Sequence, residues 1–382
     1  MRIASIAART VRWPIAGTGA ARGRRERAAV ILEVRSDGGI VGLGEAAPLP
    51  GMSVDTLADA ERAIAAFARR APFTIEDRDD VFALAAGAPA AARFAIETAL
   101  LDALAREAGV SLARLLGETS EPWAAGAVRA PLSGVVDDVE EARRAVAAGI
   151  SCLKIKIAPT ARASGRDDDL RVVREIAMAV PMARLRLDAN RGWARAEVAA
   201  RLAELARMAF ACGACIEYVE EPCPDAHLVL GDELALPLAL DESLIRLSPA
   251  ELEAALRSPG LAALVLKPTV LGGLSEVCRM FALARQHRVG AVMSHGLEGP
   301  IAMAACAELA LLYEAAWTDS AATEGRTDAP RPVGLAAHPG LAGWRVEVPQ
   351  LAADHVHAVA APGLGFVGLD LEGVVQACGE AA

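Results

Sequence analysis

The sequence predicts an α/β protein in which a parallel, TIM-like α/β barrel follows a smaller α+β capping domain. Two observations favour this fold class. From about Ala127 onward, short β-branched or Leu-rich runs alternate with amphipathic helical segments at intervals of ~20–35 residues, and eight such runs are what a parallel barrel requires. The chemically reactive side chains lie at or near the ends of these runs, where a barrel has its catalytic face.

Residues 1–122 are assigned to the capping domain. They begin with alternating apolar runs, which are typical of strands, and continue with apolar residues at helical spacing. We expect the loops at residues 17–27 and 48–53 to move, because both are rich in turn-forming residues and the first also carries a cluster of arginines. The predicted strands are residues 2–11, 28–34 and 40–45, and the predicted helices are residues 60–71 and 90–108.

Residues 123–349 are assigned to the barrel, and residues 350–382 are expected to pack back on the capping domain. An open doubly wound sheet usually has fewer strands than the eight runs found here, so the barrel is favoured. The predicted barrel strands are residues 128–135, 152–157, 184–188, 216–220, 236–241, 263–267, 290–294 and 315–318.

Composition and charge exclude several functions. Asp and Glu total 49 against 39 Lys and Arg, and the formal charge of -10 repels nucleic-acid phosphates, so we expect no nucleic-acid partner. Charged residues or prolines interrupt every apolar stretch before the ~18 residues of a membrane span, and the N-terminus has no signal-peptide core. The seven cysteines do not form a disulfide-framework pattern. We expect a cytoplasmic protein with no membrane partner, and homo-oligomer formation stays open.

Two lysines share one face of the second predicted barrel strand. Lys154 and Lys156 are two residues apart, so both side chains point to one side, while Leu153 and Ile155 point to the helices. Alone, this pattern is typical of an exposed edge strand. In a barrel the lysine face is the interior, and residues on the neighbouring strands decide between the two interpretations.

Acidic residues close the next three predicted strands: Asp188, Glu220 and Asp241. Three buried carboxylates without partners would cost several kcal/mol each, whereas a divalent cation would neutralise them. Oxygen ligands without a His or Cys cluster select Mg²⁺, or Mn²⁺, over Zn²⁺. The sequence therefore predicts a magnesium site at these three residues.

A third lysine, Lys267, ends the sixth predicted strand and is expected to face Lys154 and Lys156 across the barrel mouth, with the metal between them. A lysine acts as a base near neutral pH only when its pKa is lowered from ~10.4, which requires ~4 kcal/mol. Repulsion between Lys154 and Lys156, ~6.6 Å apart along the strand, supplies about half of this at an effective dielectric constant of ~20. We expect the metal and burial to supply the rest.

Together, these residues resemble the enolase superfamily, within its muconate-lactonizing-enzyme branch. The similarity covers essentially the whole chain, because residues 95–104 also resemble the N-terminal helix of that branch. The resemblance implies a modified (β/α)7β barrel with an α+β N-terminal capping domain, Mg²⁺ as the cofactor and a small-molecule carboxylate as the substrate. It also implies that Lys156 removes the α-proton of this substrate, and that Lys267 and the metal stabilise the enediolate.

Within the branch, residues 44–53 (Gly-Glu-Ala-Ala-Pro-Leu-Pro-Gly-Met-Ser) closely resemble a loop of the o-succinylbenzoate synthase family. This implies a hydro-lyase of menaquinone biosynthesis that dehydrates 2-succinyl-6-hydroxy-2,4-cyclohexadiene-1-carboxylate, with Lys156 acting first as base and then as acid. Residues 24–27 stand where those enzymes have a flexible Arg-containing loop. The residues expected to contact the substrate or to support the catalytic groups are Lys154, Arg186, Asn190, Glu221, Arg25, Met52, Ser294, His295 and Gly296.

His295 departs from that family, because many of these synthases have small hydroxyl residues after the seventh strand. A base of the mandelate-racemase kind needs an aspartate partner, and the HxD position here reads Gly296-Leu297. We therefore interpret His295 as a residue that lines the pocket.

Other activities of the branch stay open. N-succinylamino acid racemases use the same metal site with Lys156 and Lys267 as alternating bases, and the motifs do not separate the two reactions. Muconate cycloisomerase activity leaves the Pro-Leu-Pro-Gly loop unexplained. Dipeptide epimerases have a D-x-D motif at the eighth strand, whereas residues 318–321 read Thr-Asp-Ser-Ala. A catalytically silent metabolite-binding barrel would not need three acids and three lysines.

Overall fold

A computed structural model describes residues 1–15, 26–117, 126–157, 166–231, 233–324 and 330–378. The N-terminal part is a four-stranded antiparallel sheet, in the order β3-β2-β1-β4, with helices packed against it. Its strands are β1 (Arg2–Pro14), β2 (Glu26–Ser36), β3 (Val41–Ala46) and β4 (Phe73–Thr74). Its helices are α1 (Leu57–Ala68), α2 (Arg78–Ala85), α3 (Ala90–Ala108) and α4 (Leu112–Leu116).

Helix α3 lies unusually close to strand β3, and two glycines on β3 permit this contact. A Cβ atom on Gly42 or Gly44 would lie 2.0 Å from a backbone carbonyl oxygen of α3, that of Ala99 or Ala95 respectively. No other residue fits at these two positions, since real Cβ atoms do not approach backbone so closely. The close contact places the end of β3, and the loop that follows it, firmly against the rest of the molecule.

A short strand β5 (Arg129–Pro131) leads into a seven-stranded parallel sheet whose strands follow one another in chain order. This arrangement, with helices between most strands, confirms the predicted α/β fold class. The strands are β6 (Ser133–Val136), β7 (Cys152–Lys156), β8 (Arg184–Asp188), β9 (Cys215–Glu220), β10 (Leu238–Leu240), β11 (Leu261–Leu266) and β12 (Gly290–Met293). The helices are α5 (Val139–Ala147), α6 (Arg166–Ala179), α7 (Val198–Cys212), α8 (Pro249–Leu256), α9 (Pro268–Leu271), α10 (Leu274–His287) and α11 (Pro300–Glu324).

The strand predicted at residues 315–318 was wrong, because these residues lie inside helix α11. Alanine is the best helix former, and the rings of Tyr313 and Trp317, one helical turn apart, lie 5.6 Å from each other. Two later residues, Val333 and Gly334, occupy the closing position instead. Their parallel bridges to Leu132 and Ser294 join the first strand to the last, and we call these two residues the seam.

A small apolar cluster fills the interior of the sheet: Tyr218, Ala239, Ala263, Val265 and Val292. Several of these residues stand two positions before a reactive one, as Tyr218 does before Glu220 and Val265 before Lys267. Because residues two apart in a strand share a face, the reactive side chains lie directly above this cluster. The packed layer gives them a rigid, water-poor floor.

The end of the chain contacts both parts of the molecule. Strand β13 (His355–His357) pairs antiparallel with β5, and helix α12 (Leu371–Ala377) packs on β1 and β2. The backbone N–H of Leu371 donates to a carboxylate oxygen of Glu33 at 2.8 Å.

One helical stretch, Pro300–Thr318, is long and apolar enough to cross a membrane by length and composition. However, 72% of it is buried inside the molecule, where it packs on α4, α10 and β12. It is the interior helix of a globular fold.

Candidate active site

Strand β7 presents Lys154 and Lys156 on its inner face, whereas Leu153 and Ile155 are fully buried in the layer under the helices. The ammonium of Lys154 lies 2.9 Å from Asp188 Oδ2 and 2.7 Å from Glu220 Oε1. Burial opposes the charged form of Lys154, but Asp188 and Glu220 raise its pKa well above the usual value. Lys154 is therefore a fixed cation.

Lys156 has different surroundings. Burial lowers its pKa; Asp188 opposes this shift, and the positive charges of Lys154 and Lys267 add to it. The repulsion from Lys154 expected from the sequence is present, but burial is the largest cause.

The three acids Asp188, Glu220 and Asp241 follow one another at the same end of adjacent strands, and Asp188 pairs in register with Glu220. All three are at most 6% exposed. Burial raises the pKa of Glu220 to about 7; Lys154 opposes this, whereas repulsion from Asp188 and Asp241 adds to it. Burying a carboxylate among others is costly unless cations lie among them.

Lys267 follows strand β11 and reaches the acids from the other side. Its ammonium is hydrogen-bonded to Asp241 Oδ2 and lies 3.7 Å from the sulfur of Met52. Strands β7 and β11 are separated by three strands in the sheet, so Lys156 and Lys267 approach the acids from opposite directions.

The donor set of this cluster suits a hard divalent cation. Asp188, Glu220 and Asp241 offer only carboxylate oxygens, which Mg²⁺ prefers, and their mutual repulsion demands positive charge. In the described ranges, no three acidic, His or Cys side chains converge at metal-binding distance, and Lys154 and Lys267 pair with the acids instead. These lysines supply the counter-charge that a cation would share.

A cavity of about 880 Å³ opens over the cluster. Ten of the residues expected at the site line this cavity: Met52, Lys154, Lys156, Asp188, Asn190, Asp241, Lys267, Ser294, His295 and Gly296. Leu49 and Met52, from the loop that follows β3, line the cavity from the capping side. Arg25 lies outside the described residues.

Arg186 lies deeper in the barrel and does not line this cavity. It is 1% exposed, its Nε donates to Glu217 at 2.7 Å, and its guanidinium stacks over the ring of Tyr218. A second nitrogen donates to the carbonyl of Pro332, next to the seam. Arg186 therefore lies below the cavity, where its contacts link β8 to β9 and to the residue before the seam.

Glu221 also stays behind the cavity wall. Its carboxylate accepts hydrogen bonds from Ser243 Oγ and, at 2.8 Å, from the backbone N–H of Asp241. Burial raises the pKa of Glu221 to about 7, although these hydrogen bonds oppose the shift. The backbone φ of Glu221 is positive, at 42°, which is uncommon for a residue other than glycine. The residue that holds the backbone of Asp241 is therefore itself in a constrained conformation.

His295 lines the cavity and stacks on His338, with ring centroids 4.4 Å apart. Its Nδ1 accepts the backbone N–H of Leu297 at 3.1 Å, so the proton of the neutral ring is on Nε2. Burial, His338 and the nearby lysines hold the pKa of His295 well below its usual value. His338 was not anticipated, because 43 residues separate it from its partner in the sequence.

Two further residues were missed as supports of the site. Arg27 was expected to belong to the mobile, arginine-rich loop at residues 17–27, but it is 3% exposed. Its guanidinium donates to the carbonyls of Ala47 at 2.6 Å, Pro48 at 2.8 Å and Leu297 at 3.2 Å. It therefore ties the cap loop to the loop that follows β12.

Glu45 is the second missed support. Fully buried, it accepts the backbone N–H groups of Gly299 at 2.6 Å and Ala302 at 3.1 Å, at the start of α11. The Gly-Glu pair in the sequence was a signal of this role, since a carboxylate is a good cap for a helix N-terminus.

Comparison with known proteins agrees with this architecture. Residues 3–117 match the mandelate racemase/muconate lactonizing enzyme N-terminal domain, and residues 137–370 match the enolase C-terminal domain-like family. An o-succinylbenzoate synthase from Enterobacter sp. (strain 638) is 32% identical over 276 residues, which cover 70% of this chain and 74% of that protein.

Solved structures share the fold over nearly the whole chain. The L-Ala-D/L-Glu epimerase from Bacillus subtilis has a TM-score of 0.77 at 22% identity, covering 97% of this chain and all of that one. A dipeptide epimerase from Methylococcus capsulatus, complexed with Mg and the dipeptide L-Arg-D-Lys, has a TM-score of 0.72 at 26% identity, covering 96% and 99%. The superfamily expected from the sequence is confirmed: the chain belongs to the enolase superfamily, in its mandelate racemase/muconate lactonizing enzyme group.

Proposed function

We propose that this protein is an o-succinylbenzoate synthase, a cytoplasmic lyase of menaquinone biosynthesis. It would convert 2-succinyl-6-hydroxy-2,4-cyclohexadiene-1-carboxylate to o-succinylbenzoate by loss of water. The observation that carries the chemistry is the placement of Lys156 and Lys267 on opposite sides of three buried acids. The choice of the synthase reaction is supported by the Enterobacter relative and by the Pro-Leu-Pro-Gly loop, whose Leu49 and Met52 line the cavity.

Lys156 is the residue that removes the α-proton in this proposal. It faces the cavity, and the neighbouring Lys154 is engaged by two acids, so Lys156 is the lysine of β7 left to exchange a proton with substrate. Once protonated, Lys156 returns the proton to the departing hydroxyl group, which leaves as water. Aromatisation of the ring supplies driving force, so one lysine serves both steps.

Lys267 supplies positive charge from the other face. Its ammonium is held by Asp241 and borders the cavity, where it stabilises the negative charge that develops on the substrate carboxylate. Asp188, Glu220 and Asp241 would hold Mg²⁺ (or Mn²⁺), which when bound supplies further electrostatic stabilisation of that charge. The packed layer beneath the acids gives the site an apolar floor, and Leu49 and Met52 of the cap loop line the cavity above it.

Racemisation of N-succinylamino acids is the second candidate, and one observation favours it: Lys156 and Lys267 border the same cavity from opposite sides, as a two-base reaction requires. Dipeptide epimerisation has less support. The D-x-D motif of dipeptide epimerases belongs to the eighth strand, and residues 318–321 lie in helix α11 instead. The closing position is the seam, and residues 330–338, which contain it, include no aspartate.

Steady-state assays with the cyclohexadiene carboxylate and with single-enantiomer N-succinylamino acids, run side by side on one preparation, test the proposal. We expect turnover of the first substrate to exceed racemisation in kcat/KM. Racemisation without detectable dehydration would overturn the synthase assignment. Lys267→Arg is the matched variant, because it keeps the positive charge and should lose two-base racemisation while retaining part of any dehydration.

A further inference from the structure

A second cluster of metal-ligating side chains lies on the ribbon formed by β13 and β5, and its residues do not line the cavity over the acids. His355 and His357 alternate with the fully buried Val356, so both imidazoles project from the same outer face of β13. Their ring centroids are 5.5 Å apart. Asp354 precedes them and lies against Gly149, in the turn just before β7 and therefore at the end of the barrel opposite the acids.

The spacing of the two rings suits a shared metal ion. With a metal–nitrogen bond of about 2.0–2.1 Å and a ring nitrogen about 1.2 Å from its centroid, two imidazoles on a tetrahedral ion have centroids about 5.2 Å apart. The observed 5.5 Å is within a few tenths of an ångström of that separation. Small side-chain adjustments would bring both rings to one ion.

The pair also has the support that metal-binding histidines usually have. The Nδ1 of His355 lies 2.7 Å from Asp354 Oδ1, which places its proton on Nδ1 and leaves Nε2 free to bind a metal. The backbone carbonyl of Asp354 accepts the N–H of Leu132 at 2.9 Å, so this acid is anchored in the fold. The Asp-His pair is thus oriented before any ion binds.

His357 presents an unexplained polar atom. Its Nδ1 is shielded from solvent and has no hydrogen-bond partner within the part of the chain that the structure describes. Arg129, opposite His357 in the ribbon, places a positive charge nearby and opposes cation binding.

We propose that His355 and His357 form a binding site for a borderline divalent metal such as Zn²⁺, with Asp354 orienting His355. Two imidazoles, rather than a set of carboxylates, select Zn²⁺ or its neighbours Cu²⁺ and Ni²⁺ over Mg²⁺. Two protein ligands leave the remaining positions to water. This site is separate from the acids of the barrel mouth and does not depend on the proposed function.

The test is a Zn²⁺ titration of the full-length, tag-free protein in excess Mg²⁺, followed by NMR of ¹³C-labelled histidine. The chain has only six histidines, so each signal can be assigned by substitution. We expect the His355 and His357 signals to shift together and to saturate. Asp354→Asn should weaken Zn²⁺ binding 10–100-fold. His357→Ala should weaken it further, and Arg129→Gln should tighten it.

His287→Ala is the control, because His287 lies on α10 beside Glu253 and takes no part in the pair. It should leave the affinity unchanged. The proposal is overturned if Zn²⁺ causes no saturable shift, if the shifts fall on His295 and His338 instead, or if His357→Ala binds as tightly as the wild type.

Discussion

Glu45 makes the stability of this protein depend on pH in a predictable direction. Its carboxyl group is fully buried at the start of α11, and burial raises its pKa from 4.5 to about 7. The hydrogen bonds from Ala302 and Gly299 oppose this shift, and the charge of Glu298 adds to it. The native state therefore binds a proton more tightly than the unfolded chain does.

The sign of the effect follows from this difference. The contribution of Glu45 to stability is fully present below the unfolded pKa of 4.5 and is lost as the pH rises through about 7. A shift of this size corresponds to about 3 kcal/mol at ~1.36 kcal/mol per unit. Glu45→Gln removes the titration, so its unfolding free energy should rise relative to wild type by about 3 kcal/mol between pH 4.5 and 8.

Urea unfolding of wild type and variant at several pH values, in the presence of a chelator, measures this difference. Glu107→Gln, at an exposed position, controls for the loss of one negative charge. Gln also forms one fewer acceptor contact with α11, but that loss is the same at every pH. A constant difference between wild type and Glu45→Gln would refute the reasoning. It would mean that the amide groups of α11 keep the carboxylate ionised despite its burial.

Three other predictions concern the site. Chelation should abolish turnover and Mg²⁺ should restore it, and Asp188→Asn should raise the Mg²⁺ concentration for half-maximal activity without changing the circular dichroism spectrum. Lys156→Ala should abolish both turnover and exchange of the substrate α-proton in D₂O; exchange that survived in Lys156→Ala but not in Lys267→Ala would reverse the two roles. Arg27→Met should raise KM and lower the unfolding free energy by ~2–4 kcal/mol, because buried carbonyls lose their donor. Arg27→Lys should restore part of both, and an unchanged KM in Arg27→Met would remove Arg27 from the site.

Local patterns in the sequence were enough to predict the strands that carry the reactive residues. Alternation on β7 and the acids that close β8, β9 and β10 follow from the two-residue period of a strand, which does not depend on distant contacts. Helix α3 was also predicted with its observed bounds. These features needed no knowledge of the tertiary fold.

The closing position could not be found in this way. The seam has only two bridged residues, Val333 and Gly334, so it has no periodicity to detect, whereas residues 315–318 form a convincing apolar run inside α11. The contacts of Arg27 and Arg186 could not be predicted from the sequence, for a related reason. Their partners are backbone carbonyls and Glu217, which lie 20 or more residues away in the chain, and a sequence does not show which charged residues find buried acceptors.

The seam and the residues just after it affect the size of the cavity but not its charge. Gly334, Ala336 and Ala337 line the cavity with almost no side-chain volume, and a Cβ atom on Gly334 would come within 3.2 Å of Ser294 Oγ. None of these residues carries an ionisable group. Added volume here would narrow the room for a substrate while leaving the lysines and acids in place, so the size of the cavity can change without a change in its charged groups.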